Sequence, residues 1–200
     1  MWTQSRMFDA GISSLVFAGA TLYVGTWGGE IWTTDDGGGN WQLLHAFGDY
    51  QGISAIQVDP GSPSVLYASW IESGAAPGGH TPHGGVLKST DAGSSWQSVV
   101  NGLGVTTLVM NLENPSVLYA AAVRGQVLRS TDAGASWLSV GEGLPDGWIS
   151  TLLFSPAAPS TLYAGVSGPF VSGVVAVRVD DRELHEVSGP KPRTRVVTRD

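Results

Sequence analysis

Four segments of the 200-residue chain follow one plan, and that repetition constrains the fold more than any other feature. They are ISSLVFAGATLYVGT from Ile12, ISAIQVDPGSPSVLYASW from Ile53, VTTLVMNLENPSVLYAAA from Val105 and ISTLLFSPAAPSTLYAGV from Ile149. Each gives a β-rich run, a turn marked by glycine or proline, and a second run built around Leu-Tyr. The tyrosines Tyr23, Tyr67, Tyr119 and Tyr163 recur at intervals of 44, 52 and 44 residues. A period of this size marks one supersecondary unit per repeat, a unit that cannot bury its apolar face alone and must stack on its neighbours.

Alternation of period two, punctuated by turn residues, divides each unit into four strands, A to D. In the third unit they are expected over 105–110, 116–122, 126–130 and 137–140. Four short antiparallel strands per period of 40 to 50 residues define a β-propeller blade, so the fold class is all-β, with four blades over about 12–48, 53–101, 105–141 and 149–189. Glycine supplies 28 residues and charged side chains only 14%, against about a quarter in ordinary domains, which suits many tight turns between short apolar strands. Residues 1–8 read as the outer strand D of a preceding blade. The fourth unit has its own degenerate strand D around 183–188, so this first strand is surplus, and the chain is expected to be part of a larger propeller. The neighbouring blades would come from further sequence or from another copy. Residues 190–200 hold four of the ten basic groups without blade pattern and read as a disordered tail.

One motif accompanies the repeat: Ser/Thr-x-Asp-x-Gly-x-x-Trp. It occurs as Thr34, Asp36, Gly38, Trp41; as Ser89, Asp91, Gly93, Trp96; and as Ser130, Asp132, Gly134, Trp137, each time between strands C and D. An aspartate placed there can accept hydrogen bonds from the turn's own N–H groups, glycine supplies a positive φ, and the indole packs beneath as a plug. One carboxylate per turn is too few oxygens for a calcium loop. The expected role is structural.

These residues resemble the Asp-box, or BNR repeat, over nearly the whole chain. The resemblance implies a propeller of the superfamily that includes sialidases, xyloglucan-cleaving glycosidases, sortilin-type receptors and photosystem II stability and assembly factors. It also implies that the boxes lie on the rim away from the ligand face. Activity does not follow from the fold.

Strand order puts the B-to-C and D-to-A loops at the end opposite the boxes. One loop there is enlarged: Tyr67 and Trp96 are separated by eleven more residues than Tyr23 and Trp41, the extra lying around IESGAAPGGHTPHGG. Insertions on the binding face of a repeat protein are a functional signal. The same loops present Trp27, Tyr50, Trp70, Arg124 and Trp148, and flat rings suit sugars or protein surfaces. His80 and His83 form a His-x-x-His pair. On a glycine- and proline-rich loop they lack the rigid helix and third ligand of a metal site, so no metal is assigned. No cofactor motif is present.

Glycoside hydrolysis needs two carboxyl groups roughly 5 to 10 Å apart. Asp49 and Glu72 are the acids such a reading would use, with Asp9, Glu142 and Asp146 also near the same face. The resemblance to sialidases implies three converging arginines, yet only Arg124 lies in a suitable loop. In the xyloglucan-cleaving relatives the resemblance implies an acid after the first strand B, where this chain has Trp27 in TWGG. The leading expectation is therefore a non-catalytic module that binds protein or carbohydrate through its loop face. The alternative is a fragment of a secreted glycoside hydrolase, xyloglucanase-like rather than sialidase-like.

The net charge of −7 disfavours nucleic acid, whose affinity comes from lysine and arginine displacing counterions. The two uncharged runs at 10–29 and 147–177 are broken by glycine and hydroxyl residues and, in the second, by Pro156, Pro159 and Pro169, so no membrane insertion is expected. The absence of cysteine excludes disulfides and thiolate sites. Nothing at the start resembles a signal peptide. An extracytoplasmic parent is implied by the resemblance alone.

Overall fold

The structure is a computed structural model that describes residues 6, 8–47, 51–72, 83–140, 148–158, 160–167, 172–179 and 184–186. Among the described residues, sixteen strands form four antiparallel four-stranded sheets, each made from four consecutive strands in sequence order. The first sheet holds β1 (Ile12–Ala18), β2 (Thr21–Thr26), β3 (Glu30–Thr34) and β4 (Gln42–Ala46). The second holds β5 (Gln51–Val58), β6 (Leu66–Glu72), β7 (Gly84–Ser89) and β8 (Gln97–Asn101). The third holds β9 (Val105–Met110), β10 (Leu118–Ala122), β11 (Val127–Ser130) and β12 (Leu138–Val140). The fourth holds β13 (Trp148–Phe154), β14 (Thr161–Ser167), β15 (Ser172–Val179) and β16 (Leu184–Glu186). These are the blades of a β-propeller.

Each apolar cluster straddles a seam between two sheets. Tyr23 and Ile31 of the first sheet pack with Ile53, Ile56 and Leu66 of the second. Tyr67 and Val86 of the second pack with Val105, Leu108 and Leu118 of the third, and Tyr119 and Val127 of the third with Ile149, Leu152 and Leu162 of the fourth. Burial is thus supplied between blades, as the repeat requires.

The inner strand of every blade carries a register shift at the same repeat position: between Ile12 and Ser14, between Ile53 and Ala55, opposite Ala121 and Ala122, and between Ile149 and Thr151. A bulge leaves one residue unpaired and re-aims its side chain. The released hydroxyls reach the next blade: Ser54 Oγ donates to the Val105 carbonyl at 2.7 Å, and Thr106 Oγ1 to the Ile149 carbonyl at 2.7 Å. In the fourth blade the equivalent Ser150 turns back to its own sheet, donating to the Gly165 carbonyl at 3.3 Å.

The first and last sheets each keep one face open. Leu15 and Phe17 are 64% and 68% exposed, whereas their repeat equivalents Ile56 and Val58 are 2% and 9% exposed against the first blade. At the other end Tyr163 is 39% exposed, while Tyr67 and Tyr119 are fully buried. The expected outer strand over 1–8 falls mostly outside the described residues. Arg6 and Phe8 lie in no strand. Phe8 meets Trp32 and Trp41 edge-on at 5.9 and 5.4 Å, and the Arg6 guanidinium lies 3.9 Å from the Trp32 ring centroid, on the outer side of the first blade.

Candidate binding face and the Asp-box rim

Antiparallel order sends the A-to-B and C-to-D turns to one end of each sheet and the B-to-C and D-to-A connections to the other. At the first end the box turns bond to the A-to-B turns of their own blades: Ala92 N–H donates to the Ser64 carbonyl at 2.9 Å and Ala133 N–H to the Ser116 carbonyl at 3.0 Å. At the second end Trp27 N–H donates to the Gly11 carbonyl at 2.8 Å, Phe47 N–H to Gly29 at 2.9 Å and Val123 N–H to Gly104 at 2.9 Å.

Within each box the carboxylate is held by its own turn. Asp36 Oδ1 accepts from Thr34 Oγ1 and from the Asn40 N–H, both at 2.9 Å, and Oδ2 accepts from Asn40 Nδ2 at 2.7 Å. Asp91 Oδ1 accepts from Ser89 Oγ and the Ser95 N–H at 2.8 Å, and Oδ2 from Ser95 Oγ at 2.6 Å. Asp132 repeats the pattern with Ser130 and Ser136. The first hydroxyl is also an acceptor, taking the N–H of Gly38, Gly93 or Gly134 at 2.8 to 3.0 Å. These glycines stand at φ of 94°, 90° and 80°, where a Cβ is disfavoured. The indoles of Trp41, Trp96 and Trp137 donate to the carbonyls of those same glycines at 3.0 to 3.2 Å.

Hydrogen bonds to the charged form favour it. Bonds from the Asn40 backbone and side chain and from Thr34 bring Asp36 down to about 2; those from the Ser95 hydroxyl and N–H and from Ser89 do the same for Asp91, and Ser136 and Ser130 for Asp132. The residue before each tryptophan, Asn40, Ser95 or Ser136, was not singled out in the sequence although it supplies two of the three bonds. Its common feature, a short polar side chain in a turn, was visible but unremarkable.

Two seams differ at the rim. Tyr67 Oη donates to the Ala133 carbonyl of the next blade's box at 2.7 Å, and Lys88 Nζ donates to the same oxygen at 2.7 Å. Burial, then the nearby Asp59 and Asp132 charges, push the Tyr67 hydroxyl up to about 12. At the first seam, where Thr33 replaces Lys88, a cavity of about 400 Å³ opens between the first two boxes.

At the opposite end the described residues include only part of the expected set. Trp27, in the β2–β3 turn, is 48% exposed, and its ring lies against Gly52 and Gly11, where an added Cβ would meet it at 2.9 and 3.3 Å. Trp148 begins β13 and is 47% exposed. Arg124 is exposed in the 3₁₀ turn between β10 and β11, with a φ of 68°. Trp70 is half-buried in β6 and stacks on Phe47 of the preceding blade at 5.2 Å. Glu72 ends β6, and its N–H donates to the carbonyl of the exposed His83 at 2.8 Å, closing the base of the enlarged loop. Tyr50, Asp49 and His80 lie outside the described residues, as do Glu142 and Asp146. Among the described residues no three His, Asp or Glu side chains come together as a metal would require. No helix among them is long and apolar enough to cross a membrane.

No family model and no curated protein matches the sequence. Solved structures do match the fold. A xyloglucanase of glycoside hydrolase family 74 from Xanthomonas campestris aligns at TM-score 0.67 and 21% identity, covering 88% of this chain and 30% of that one. YCF48 bound to a D1 peptide aligns at TM-score 0.62 and 18% identity over 88% of this chain and 54% of that one. An auxiliary nutrient binding protein from Bacteroides thetaiotaomicron aligns at TM-score 0.64 and 12% identity over 90% and 42%. The chain is a β-propeller module, similar in fold to both hydrolases and binding proteins, and it spans from under a third to about half of these three structures.

Proposed function

We propose that this chain is a non-catalytic propeller segment that binds a protein or carbohydrate partner through its B-to-C and D-to-A end. The observation that carries this reading is the exposed indole of Trp27, seated on the backbone of Gly11 and Gly52 and so fixed in place before any ligand arrives. A preordered aromatic loses little entropy on binding. Arg124 lies on the same type of connection, Trp148 follows a D-to-A connection at the same end, and the enlarged loop of the second blade enters there too. That the neighbours include a peptide complex of YCF48 and a nutrient binding protein supports recognition as the task. The open faces of the first and last sheets support further blades as structural partners, which would complete the ring.

The test is a glycan and peptide array followed by titration of the best binder. Trp27→Ala is expected to weaken binding by about tenfold or more, the scale of an aromatic hot spot. Undiminished binding by Trp27→Ala would remove the assigned face.

A second reading, part of a glycoside hydrolase, is favoured by the xyloglucanase neighbours and by Glu72 at the end of β6. Xyloglucan turnover by the full-length parent that disappears in Glu72→Gln or Asp49→Asn would select it over the first.

A further inference from the structure

We propose that the seam between the first and second sheets, on the Asp-box rim, binds the ammonium group of a lysine side chain from a partner polypeptide. The second seam shows what such a group does there. Lys88 Nζ donates to the Ala133 carbonyl at 2.7 Å and lies 5.4 Å from the Tyr67 ring centroid, so the carbonyl of the box turn and the ring together form an ammonium seat.

The first seam carries the same residue types without the lysine, and it is more open: Leu44 stands against Gly93 where Tyr67 stands against Gly134. Ala92 matches Ala133 in the turn, with the same φ of 56°, and Tyr23 matches Tyr67. The position of Lys88 is Thr33, whose hydroxyl donates to its own sheet at the Leu22 carbonyl. The position of Thr90 is Asp35. One positive charge is lost and one negative charge gained, while Asp59, whose charge acts on Tyr67, has the neutral Ala18 in its place, so this seam is one charge more negative than the second. Tyr23, Thr33, Asp35, Asn40, Trp41 and Ala92 line the resulting cavity of about 400 Å³. Among the described residues no side chain donates to the Ala92 carbonyl. Asp36 is already held by Thr34 and Asn40, and Asp91 by Ser89 and Ser95, which leaves Asp35 as the carboxylate facing an incoming cation.

The volume exceeds that of one aminobutyl chain, so the occupant enters from the open rim with its aliphatic stem along Trp41 and Leu44. A lysine stem buries in this manner while its head stays polar.

The probe is Nα-acetyl-lysine methylamide, titrated into the full chain while the indole N–H resonance of Trp41 is followed. A saturable millimolar shift is expected. Thr33→Lys, which copies the sequence of the second seam and supplies an internal ammonium, should weaken the probe by about tenfold or more. Asp35→Asn, at an exposed position, should weaken it several-fold without disturbing the fold. The Nε-acetylated probe, which keeps the stem and lacks the charge, should give no saturable shift. Equal response to the acetylated probe, no response to lysine, or full affinity in both variants would each overturn the assignment.

Discussion

The hydroxyl of Tyr67 donates to the carbonyl of Ala133 across 2.7 Å, joining the second blade to the box turn of the third. The bond is made at full burial of the ring, with Gly134 so close that a Cβ there would meet the ring at 3.0 Å. Seams of this kind, and not single sheets, hold the molecule together.

Tyr67→Phe is expected to destabilise the chain by about 1 kcal/mol, the net worth of one hydrogen bond. Tyr23→Phe, at a hydroxyl with no such partner among the described residues, should cost less. Urea unfolding of the two variants against the parent checks the difference.

Ile56→Ala should cost about 2 to 5 kcal/mol, since it empties a site sealed between two blades. Leu15→Ala, at the same repeat position on the open face, should cost under about 0.5 kcal/mol in the isolated chain. The same unfolding assay applies, and an equal cost at both positions would mean that the first face is covered in solution.

The repeat made the sheets legible. Leu-Tyr at 44-, 52- and 44-residue intervals located strand B of each blade, and the Ser/Thr-x-Asp pattern located the C-to-D turns. The bulge at Ser13, Ser54, Thr106 and Ser150 was not legible, because a serine or threonine in an inner strand carries no mark of register; the pairing shows it, and at Ser54 and Thr106 the hydroxyl reaches the next blade. Trp70 illustrates the limit on the loop face. Its position near a B-to-C turn pointed outward, whereas Phe47 from another blade stacks on it, a contact separated by 23 residues that no local pattern encodes. Trp27 remained exposed because Gly11 and Gly52 offer it only backbone to rest on.

Gly52→Ala is expected to displace Trp27, because the new Cβ would meet Trp27 Cε3 at 2.9 Å and the Trp27 carbonyl at 3.2 Å. The displacement should lower stability by about 1 to 3 kcal/mol, the usual cost of overpacking. Urea unfolding, with the Trp27 indole resonance as a local reporter, would register both effects.

Stability should fall as the pH drops through the box carboxylates. Their folded pKa, about 2, lies below the unfolded value near 3.8, so the stabilisation is complete above about pH 4 and is lost as pH falls toward 2. Asp91→Asn removes one titrating group and should flatten this loss. Thermal midpoints between pH 2 and 6 provide the comparison.

The most direct measurement is a ¹³C NMR titration of the side-chain carboxyls of Asp36, Asp91 and Asp132, repeated with calcium. Three independent transitions near pH 2, unmoved by calcium, are expected if each carboxylate is held by its own turn. Transitions near the ordinary value of about 4, or a shift on adding the cation, would contradict that role.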